Sequence, residues 1–184
     1  MAEAYPGDIL GFVTKLDYRI GDTISVDPEL LFNEIPRFAP ECFAYLHNSA
    51  ASTYKPFRKG LDHLLAEDIV QTFSMLRNGG NMPLLGAVGP LQFEVLQYRL
   101  KDEYGGESRL EMLPFKVMRW VEEPFNEEEL KETQSNEAAL AKDNQGRWVV
   151  LFPSDWSLNY YLRRFPAIKL LNSPLSSTPD NIKK

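Results

Sequence analysis

The sequence predicts an α+β fold in which a four-stranded antiparallel sheet carries two helices on one face. Two stretches, 57–65 and 93–104, place apolar side chains at helical spacing. Short strand-like runs precede, separate and follow them, and an Asn-Gly-Gly-Asn turn at 78–81 joins the middle two runs as a hairpin. The order β-α-β-β-α-β is that of a ferredoxin-like fold.

The first strand and the first helix follow residue 40. Residues 41–47 alternate in polarity as a strand does. Ser52 or Thr53 is placed to cap the helix, and Pro56 is tolerated in its first turn. The buried face of this helix is predicted to contain four apolar side chains, Phe57, Leu61, Leu64 and Leu65.

The two middle strands are predicted at 69–76 and 82–88, on either side of the glycine-containing turn. Pro90 suits the first position of the second helix, and Gly105 is expected to end that helix as a left-handed cap. The apolar stripe of the helix is predicted to comprise Phe93, Leu96, Leu100 and Tyr104, widened by Leu91 and Val95.

Residues 107–120 are predicted to form one long strand with a break near Pro114, and a C-terminal α/β extension comes after it. Asn126 caps its first helix, which begins with three glutamates and in which Glu129 completes a capping box. We expect this helix to break and then to resume through 138–141.

The extension continues with a turn at 144–146, a strand at 148–152, a helix capped by Ser154 and a short strand at 168–171. The buried side of that helix is predicted to contain Leu158, Tyr161, Leu162 and Phe165.

Residues 1–35 do not look like the start of a fold. Their two strand-like runs, 9–13 and 20–24, cannot bury a core alone. The runs either pack onto the rest of the chain or belong to a sheet whose other strands lie upstream. We expect the second arrangement, because 5–8 has the composition of a turn between strands. The remaining residues are divided into a ferredoxin-like part, an α/β extension of the same domain and a flexible tail, predicted at 36–122, 123–172 and 173–184.

Composition and charge are those of an ordinary globular protein. Of 184 residues, 43% are hydrophobic and 25% are charged, and the formal net charge is −6. This acidic balance argues against a general nucleic-acid binder and against DNA as a partner, but it leaves room for a local basic patch. The single cysteine, Cys42, excludes an internal disulfide and a multi-cysteine zinc site. No apolar run suits a secretory or membrane segment, so we expect a cytoplasmic protein.

We predict no catalytic, cofactor-binding or metal-binding residue, and the sequence contains no phosphate-binding loop. The glycines of 86–89 precede a helix, but Pro90 removes an amide donor there, so close packing explains them better than anion binding. The acidic run 122–129 is typical of a solvated helix start. A small acylphosphatase-like enzyme is a remote alternative, since its phosphate cradle needs an arginine that the loop 48–53 lacks.

Seven basic side chains are predicted to contact RNA phosphates. They lie on three predicted helices and are Lys55, Arg58, Lys59, Arg99, Lys101, Arg163 and Arg164. Solubility alone would also explain them. No interleaving of aromatic and basic residues indicates base stacking, so any RNA contact is expected to depend on shape.

Two adjacent segments carry a family resemblance. Residues 86–95 read Gly-Ala-Val-Gly-Pro-Leu-Gln-Phe-Glu-Val, and residues 98–104 read Tyr-Arg-Leu-Lys-Asp-Glu-Tyr. The sequence resembles the bacterial peptide chain release factor 3 family and, more distantly, the third domain of elongation factor G. Four further blocks are similar to that family in the same order, at 6–9, 20–23, 35–41 and 119–122.

The resemblance implies the C-terminal part of a translational GTPase, with 1–35 as the end of its second, β-barrel domain. Such a factor binds GTP and Mg²⁺ in an N-terminal domain absent here, so the fragment is expected to need no cofactor and to catalyse nothing. The family removes class-I release factors from the ribosome after peptide release. Its third domain contacts the small subunit near ribosomal protein S12 and 16S rRNA, which implies that 49–59 makes this contact.

The third domain of another translational GTPase, such as an elongation factor or a ribosomal protection protein, is the main alternative. Gln92 and Phe93, together with a packed C-terminal extension, would favour release factor 3. A sheet that ended near Val121 with a detached tail would favour the alternative.

Overall fold

A computed structural model gives the fold of the chain, which divides into two compact units, Met1–Asn33 and Glu34–Lys184. The structure describes residues 4–11, 13–15, 22–27, 29–30, 32, 38–76 and 82–174. The predicted hairpin turn at 78–81 lies wholly outside these residues, and the predicted tail at 173–184 lies outside them except for its first two residues.

The turn predicted in the first unit is confirmed. The Asp8 amide donates to the Tyr5 carbonyl at 3.0 Å, and the Tyr5 amide donates to the Asp8 carboxylate at 2.9 Å. Gly7 has φ +100°, which suits the third position of a type II turn with Pro6 before it.

The two strands predicted in the first unit do not form in its described residues. Residues 9–11 and 13 lie in no strand, and Ile9 is 98% exposed. Residues 22–24 likewise lie in no strand, while 20 and 21 fall outside the described part. In the described part neither run has a strand beside it to pair with, and an unpaired strand gains no hydrogen bonds or core contacts.

The described residues of the second unit form eight strands, four α-helices and one 3₁₀ turn. In chain order they are β1 (Cys42–Asn48), the 3₁₀ turn (Ala51–Thr53), α1 (Tyr54–Ala66), β2 (Gln71–Met75), β3 (Leu84–Ala87), α2 (Pro90–Tyr104), β4 (Ser108–Leu113), β5 (Val117–Val121), α3 (Glu127–Glu132), β6 (Ala139–Asp143), β7 (Trp148–Phe152), α4 (Asp155–Arg164) and β8 (Leu170–Leu171).

The first half of this unit has the predicted ferredoxin-like topology. Its antiparallel strands lie in the order β4-β1-β3-β2, which confirms the α+β class. α1 and α2 cover one face, and their apolar side chains share a core with Leu46 and Leu85 of the strands. The two helices approach closely at Gly60, where a Cβ atom would lie 2.6 Å from the Tyr104 ring.

The segment predicted as one long strand, 107–120, forms two strands that lie far apart in the sheet. β4 pairs with β1 at one edge, whereas β5 pairs with β7 and β8 near the other edge. Pro114 separates them, and the Lys116 amide already donates to the Phe152 carbonyl of β7 at 2.9 Å. Because proline cannot donate to a sheet, the predicted break becomes a change of partner strand.

Residues 138–141, predicted to continue a helix, lead into β6 instead. The helix α3 ends at Glu132, and β6 pairs with β2 on one side and with β7 on the other. The side chains of Ala139, Leu140 and Ala141 are all buried. Alanine and leucine favour helices in isolation, but tertiary burial on both faces of a central strand overrides that preference.

Pairing of β2 with β6 joins the two halves into one eight-stranded sheet, in the order β4-β1-β3-β2-β6-β7-β5-β8. The pairing register places α3 and α4 on the same face as α1 and α2, over a separate core that includes Phe152 and Tyr161. The C-terminal extension is therefore packed into the domain by strand pairing.

The opposite face of the sheet is covered by none of the described helices. Apolar side chains from both halves meet on it, and Phe43 of β1 shares a third core with Met118 and Trp120 of β5. The rings of Phe43 and Phe115 have centroids 6.4 Å apart. Since β1 and β5 are five places apart in the strand order, the sheet must curl so that this face packs against itself.

The predicted caps of the later helices are confirmed, but Glu129 does not complete a capping box, because its carboxylate accepts from the side-chain Nδ2 of Asn126 at 3.3 Å. Asn126 Oδ1 accepts from the Glu128 amide at 2.9 Å, and Ser154 Oγ accepts from the Ser157 amide at 3.3 Å. Gly105 ends α2 with φ +69°, the left-handed conformation that glycine adopts at little cost. The turn at 144–146 is also confirmed.

Three side chains predicted to be buried are exposed instead. Leu91 and Val95 of α2 are 66% and 42% exposed, and Leu162 of α4 is 38% exposed. Each helix lies against the sheet along a narrow stripe, so apolar residues at the flanks of that stripe remain in solvent. The domain boundaries at 35, 122 and 172 stay predictions.

Candidate functional site

The loop after β1 fixes the start of α1. Asn48 Nδ2 donates to the Ala50 carbonyl at 2.6 Å, and the Ser49 amide donates to the Glu107 carbonyl at 3.0 Å. The Thr53 hydroxyl donates to Asn48 Oδ1 at 3.0 Å, so Thr53 gives α1 no side-chain cap, contrary to prediction. These bonds hold the first turn of the helix in one position.

Three cations project from the first half of α1. Lys55, Arg58 and Lys59, here called the α1 basic patch, are all exposed, while Phe57 between them is buried in the core. Arg58 donates to the Tyr54 hydroxyl at 3.4 Å. Among the described residues, none of the three pairs with a carboxylate. The patch therefore presents its charge to solvent.

A shallow groove of about 390 Å³ runs along this side of α1. It is lined by Tyr54, Lys55, Arg58, Lys59, Asp62 and His63. Positive charge is concentrated at the N-terminal end, where the helix dipole is also positive and the first turn contains no acidic residue. This end of the groove suits an anionic group.

Arg99 connects neighbouring elements and does not present a free charge. Its guanidinium donates to Glu103 at 3.0 Å and to Glu67, just after α1, at 3.2 Å. Hydrogen bonds to Glu103 and Glu67 raise the pKa of Arg99 further above its ordinary value, and Arg99 lowers the pKa of Glu103. Lys101, in the last turn of α2, is exposed, and no carboxylate of the described part pairs with it.

Arg163 and Arg164 lie in the last turn of α4, over the second half of the sheet. Arg164 donates to the Tyr160 hydroxyl at 3.3 Å and lies 5.4 Å from the centroid of the Phe165 ring. Within the described ranges, neither arginine pairs with a carboxylate. The seven predicted residues thus lie on α1, α2 and α4 and are not gathered into one patch.

An exposed aromatic pair on α4 was not predicted from the sequence. Trp156 and Tyr160 are stacked, with ring centroids 5.6 Å apart and planes within 9° of each other. They are 66% and 46% exposed. Together with Arg164 they form a row at positions i, i+4 and i+8, here called the α4 row. The spacing Trp-x₃-Tyr-x₃-Arg was the available signal, since positions i, i+4 and i+8 lie along one side of a helix.

The glycine-rich segment before α2 has a structural explanation. Gln92 Oε1 accepts from the amides of Val88 at 2.7 Å and Gly89 at 3.4 Å, and its Nε2 donates to the Ile69 carbonyl at 3.0 Å. A Cβ atom on Gly86 would lie 2.7 Å from a phenylalanine ring. The amides of Val88 and Gly89 already donate to Gln92, which argues against anion binding there. Close packing explains Gly86 but not Gly89, where a Cβ atom would have nothing within 4 Å.

The described residues contain no group of three or more His, Cys, Asp or Glu side chains that could hold a metal ion. His47 pairs with Glu111 at 2.7 Å across β1 and β4, which gives it a structural partner. No helix in the described ranges has the length and apolar character needed to cross a membrane.

Comparison with known proteins shows that this chain is similar to members of one protein family. The family model for "Class II release factor RF3, C-terminal domain" matches residues 32–162. Similar curated proteins include "Peptide chain release factor 3" of Synechococcus elongatus, 44% identical over 91% of this chain. The protein of that name from Acaryochloris marina is 43% identical over 92% of the chain, and that from Symbiobacterium thermophilum is 41% identical over 90%. The chain spans only 30%, 31% and 31% of these relatives' own lengths.

Proposed function

The chain belongs to the class II release factor 3 family, as its C-terminal domain, and from this premise we propose that it docks a translation-termination GTPase on the small ribosomal subunit. In this proposal the whole factor acts in the cytoplasm and promotes the release and recycling of class-I release factors. It binds GTP and Mg²⁺ through a domain outside this chain, and the domain described here catalyses nothing by itself.

The α1 basic patch is the observation that carries the proposal. Lys55 lies in the first turn of α1, where the helix dipole disfavours positive charge, and none of the three cations pairs with a carboxylate in the described part of the chain. Neither the helix dipole nor ion pairing therefore explains their placement. A phosphate-rich surface does explain it, because Lys and Arg bind the backbone of RNA through charge and hydrogen bonds. The proposed contact is 16S rRNA near ribosomal protein S12.

The continuous sheet supports the mechanical part of the proposal. Strand pairing between β2 and β6 and the third core join the ferredoxin-like half to the extension. A domain joined in this way moves as one body, so it can carry a rotation from a distant nucleotide switch to the ribosomal surface.

Charge reversal at the patch tests the proposal. We expect the Arg58→Glu, Lys59→Glu double variant of this chain to bind isolated small subunits at least about tenfold more weakly, with a salt slope smaller by roughly 1.8 if each residue neutralises one phosphate. Binding is measured by sedimentation or fluorescence anisotropy across a salt series.

Two exposed lysines of the other half provide a matched control. Lys116→Glu with Lys169→Glu changes the net charge equally, and we expect it to leave affinity nearly unchanged. Equal affinities and slopes for the wild type and the patch variant would contradict the assignment of the patch.

The packed extension and the release factor 3 relatives support this factor over another translational GTPase. No observation favours an acylphosphatase-like enzyme, since the loop 48–53 contains no arginine.

A further inference from the structure

We infer that the α4 row, formed by Trp156, Tyr160 and Arg164, stacks an unpaired base of single-stranded RNA. The inference rests on the proposed function for the identity of that RNA, which would be ribosomal. The row is separate from the α1 basic patch, because it lies over the other half of the sheet.

The ring geometry supports stacking. Trp156 and Tyr160 are held parallel, with planes 9° apart and centroids 5.6 Å apart. Trp156 is 66% exposed at the N-terminal end of the row, so its indole presents a large apolar area to solvent. A flat aromatic side chain of this kind stacks any nucleobase, whatever its sequence.

The charges beside the rings suit the RNA backbone. Arg163 and Arg164 follow the aromatic pair on the same helix, and neither pairs with a carboxylate in the described ranges. Arg164 also donates to the Tyr160 hydroxyl at 3.3 Å, which orients its guanidinium beside the rings. The acidic residue of α4, Asp155, directly precedes Trp156 and lies at the opposite end of the helix from the two arginines, where its charge interacts favourably with the helix dipole.

The row is rigidly supported from behind. Leu158 and Tyr161 of the same helix are buried in the core, and the Tyr161 hydroxyl lies 2.8 Å from that of Thr133. At 3.6 residues a turn, Leu158 lies on the side of α4 opposite Trp156, and Tyr161 lies about 100° around the helix from Tyr160. The acidic helix α3 ends at Glu132, directly before Thr133, and its Leu130 packs in the same core as Leu158 and Tyr161.

A protein partner is the competing occupant, since Trp, Tyr and Arg are also common in protein interfaces. Two observations favour RNA. The rings are already stacked on each other and so do not project singly as an anchor for a pocket. The two charges at the C-terminal end of the row are both positive, and neither pairs with a carboxylate in the described ranges.

Trp156 provides its own spectroscopic probe. The other two tryptophans, Trp120 and Trp148, are only 3% and 6% exposed, so quenching by a bound base reports on Trp156. The 184-residue chain is titrated with a single-stranded oligoadenylate of about ten nucleotides, a length typical of such sites, and with an RNA duplex of equal length. We expect the single strand to quench the emission and the duplex to quench it much less.

Variants then separate stacking from charge. Trp156→Ala should weaken binding of the single strand by about tenfold, measured by anisotropy of a labelled RNA, whereas Trp156→Phe should retain most of the affinity. Replacing Arg163 and Arg164 by Gln should reduce the salt slope by about 1.4. Leu162→Ala, on another side of the same helix, is the control and should bind like the wild type.

Three outcomes would overturn the inference: equal quenching by duplex and single strand, unchanged affinity of Trp156→Ala, or a change in emission on adding small-subunit proteins but not RNA. Failure of this inference can be distinguished from failure of the proposed function. If the α1 basic patch variant loses small-subunit binding, and Trp156→Ala changes the affinity for neither the single strand nor the duplex, the α4 inference fails alone. If RNA stacks on Trp156 and the chain has no affinity for small subunits, the proposed function fails alone.

Discussion

The two halves of the sheet share an architecture but are stabilised differently. In the first half the long helices α1 and α2, of 13 and 15 residues, supply much of the core. In the second half α3 and α4 have only 6 and 10 residues, and all five residues of β7 are buried. The first half therefore depends on helix packing, and the second depends on a central strand covered on both faces.

The halves also present different chemistry to solvent. The α1 basic patch carries cations alone, whereas the α4 row combines cations with stacked aromatic rings. One continuous sheet thus supports two surfaces with different ligand preferences, and changing one surface should leave the other intact.

Removing a core ring in each half gives the largest expected effect. Phe93 and Phe152 are 1% and 0% exposed, and replacing either with Ala should lower the free energy of unfolding by about 3–5 kcal/mol. Because β2–β6 pairing and the third core connect the halves, each variant should still unfold in one transition. Urea denaturation followed by circular dichroism and tryptophan emission measures this. Separate transitions for the two signals would show that the halves are independent.

A smaller effect is expected where the two long helices touch. Gly60→Ala would ordinarily stabilise a helix by about 1 kcal/mol, but its Cβ would lie 2.6 Å from the Tyr104 ring. Overpacking costs about 1–3 kcal/mol, so we expect the free energy of unfolding, measured by urea denaturation, to fall by roughly 1 kcal/mol. Gly11→Ala, which has nothing within 4 Å, serves as the control. A stabilised Gly60→Ala chain would mean that α1 and α2 are less closely packed than described.

The smallest expected effect is a pH dependence of the free energy of unfolding that arises from Tyr161 in the second half. Burial raises the pKa of Tyr161, and the Thr133 hydrogen bond opposes this only in part. In the unfolded chain tyrosine loses its proton near pH 10. Above that pH the folded chain keeps a proton that the unfolded chain has lost, so the free energy of unfolding falls as pH rises.

Urea midpoints compared at about pH 8 and about pH 11 test this effect, since these values bracket the tyrosine pKa. The wild type should lose more stability between them than Tyr161→Phe, which cannot titrate at this position. At the lower pH the variant should already be less stable by about 0.5–1.5 kcal/mol, because it loses the hydrogen bond with Thr133. Parallel pH profiles for the two proteins would rule out the contribution of Tyr161.

Local signals were sufficient to predict the ends of α2 and most of the buried stripe of α1 in the first half. The helix α2 begins at Pro90 and is capped by Gly105, as expected. Phe57, Leu61 and Leu64 form the buried stripe of α1. Each of these signals acts within a few residues of its effect, so a single sequence contains all the information required.

The errors in the second half arise from contacts between distant residues. Residues 139–141 have helix-favouring side chains, and only their position between β2 and β7 makes them a strand. Likewise, the change of partner at Pro114 depends on where β7 lies, which periodicity within 107–120 does not contain.

The candidate site residues also divide into those that local sequence predicts and those that depend on contacts between distant residues. The α1 basic patch was predicted because Lys55, Arg58 and Lys59 are close in sequence and opposite an apolar face. The pairing of Arg99 with carboxylates depends partly on Glu67, which lies 32 residues away, so it could not be predicted from the sequence. The α4 row has a visible spacing, but the exposure of Trp156 that gives it significance follows from tertiary packing.

The pairing of β2 with β6 has a consequence for the order in which the chain is made. Phe73 and its partner Asp143 are separated by 70 residues, so a ribosome adding ~5–20 residues per second needs roughly 4–14 s to supply the second strand. During that interval the open edge of β2 can pair with another nascent or newly released chain. Slow elongation or premature termination between these residues should therefore favour aggregates, and prompt synthesis of the extension protects the half that precedes it.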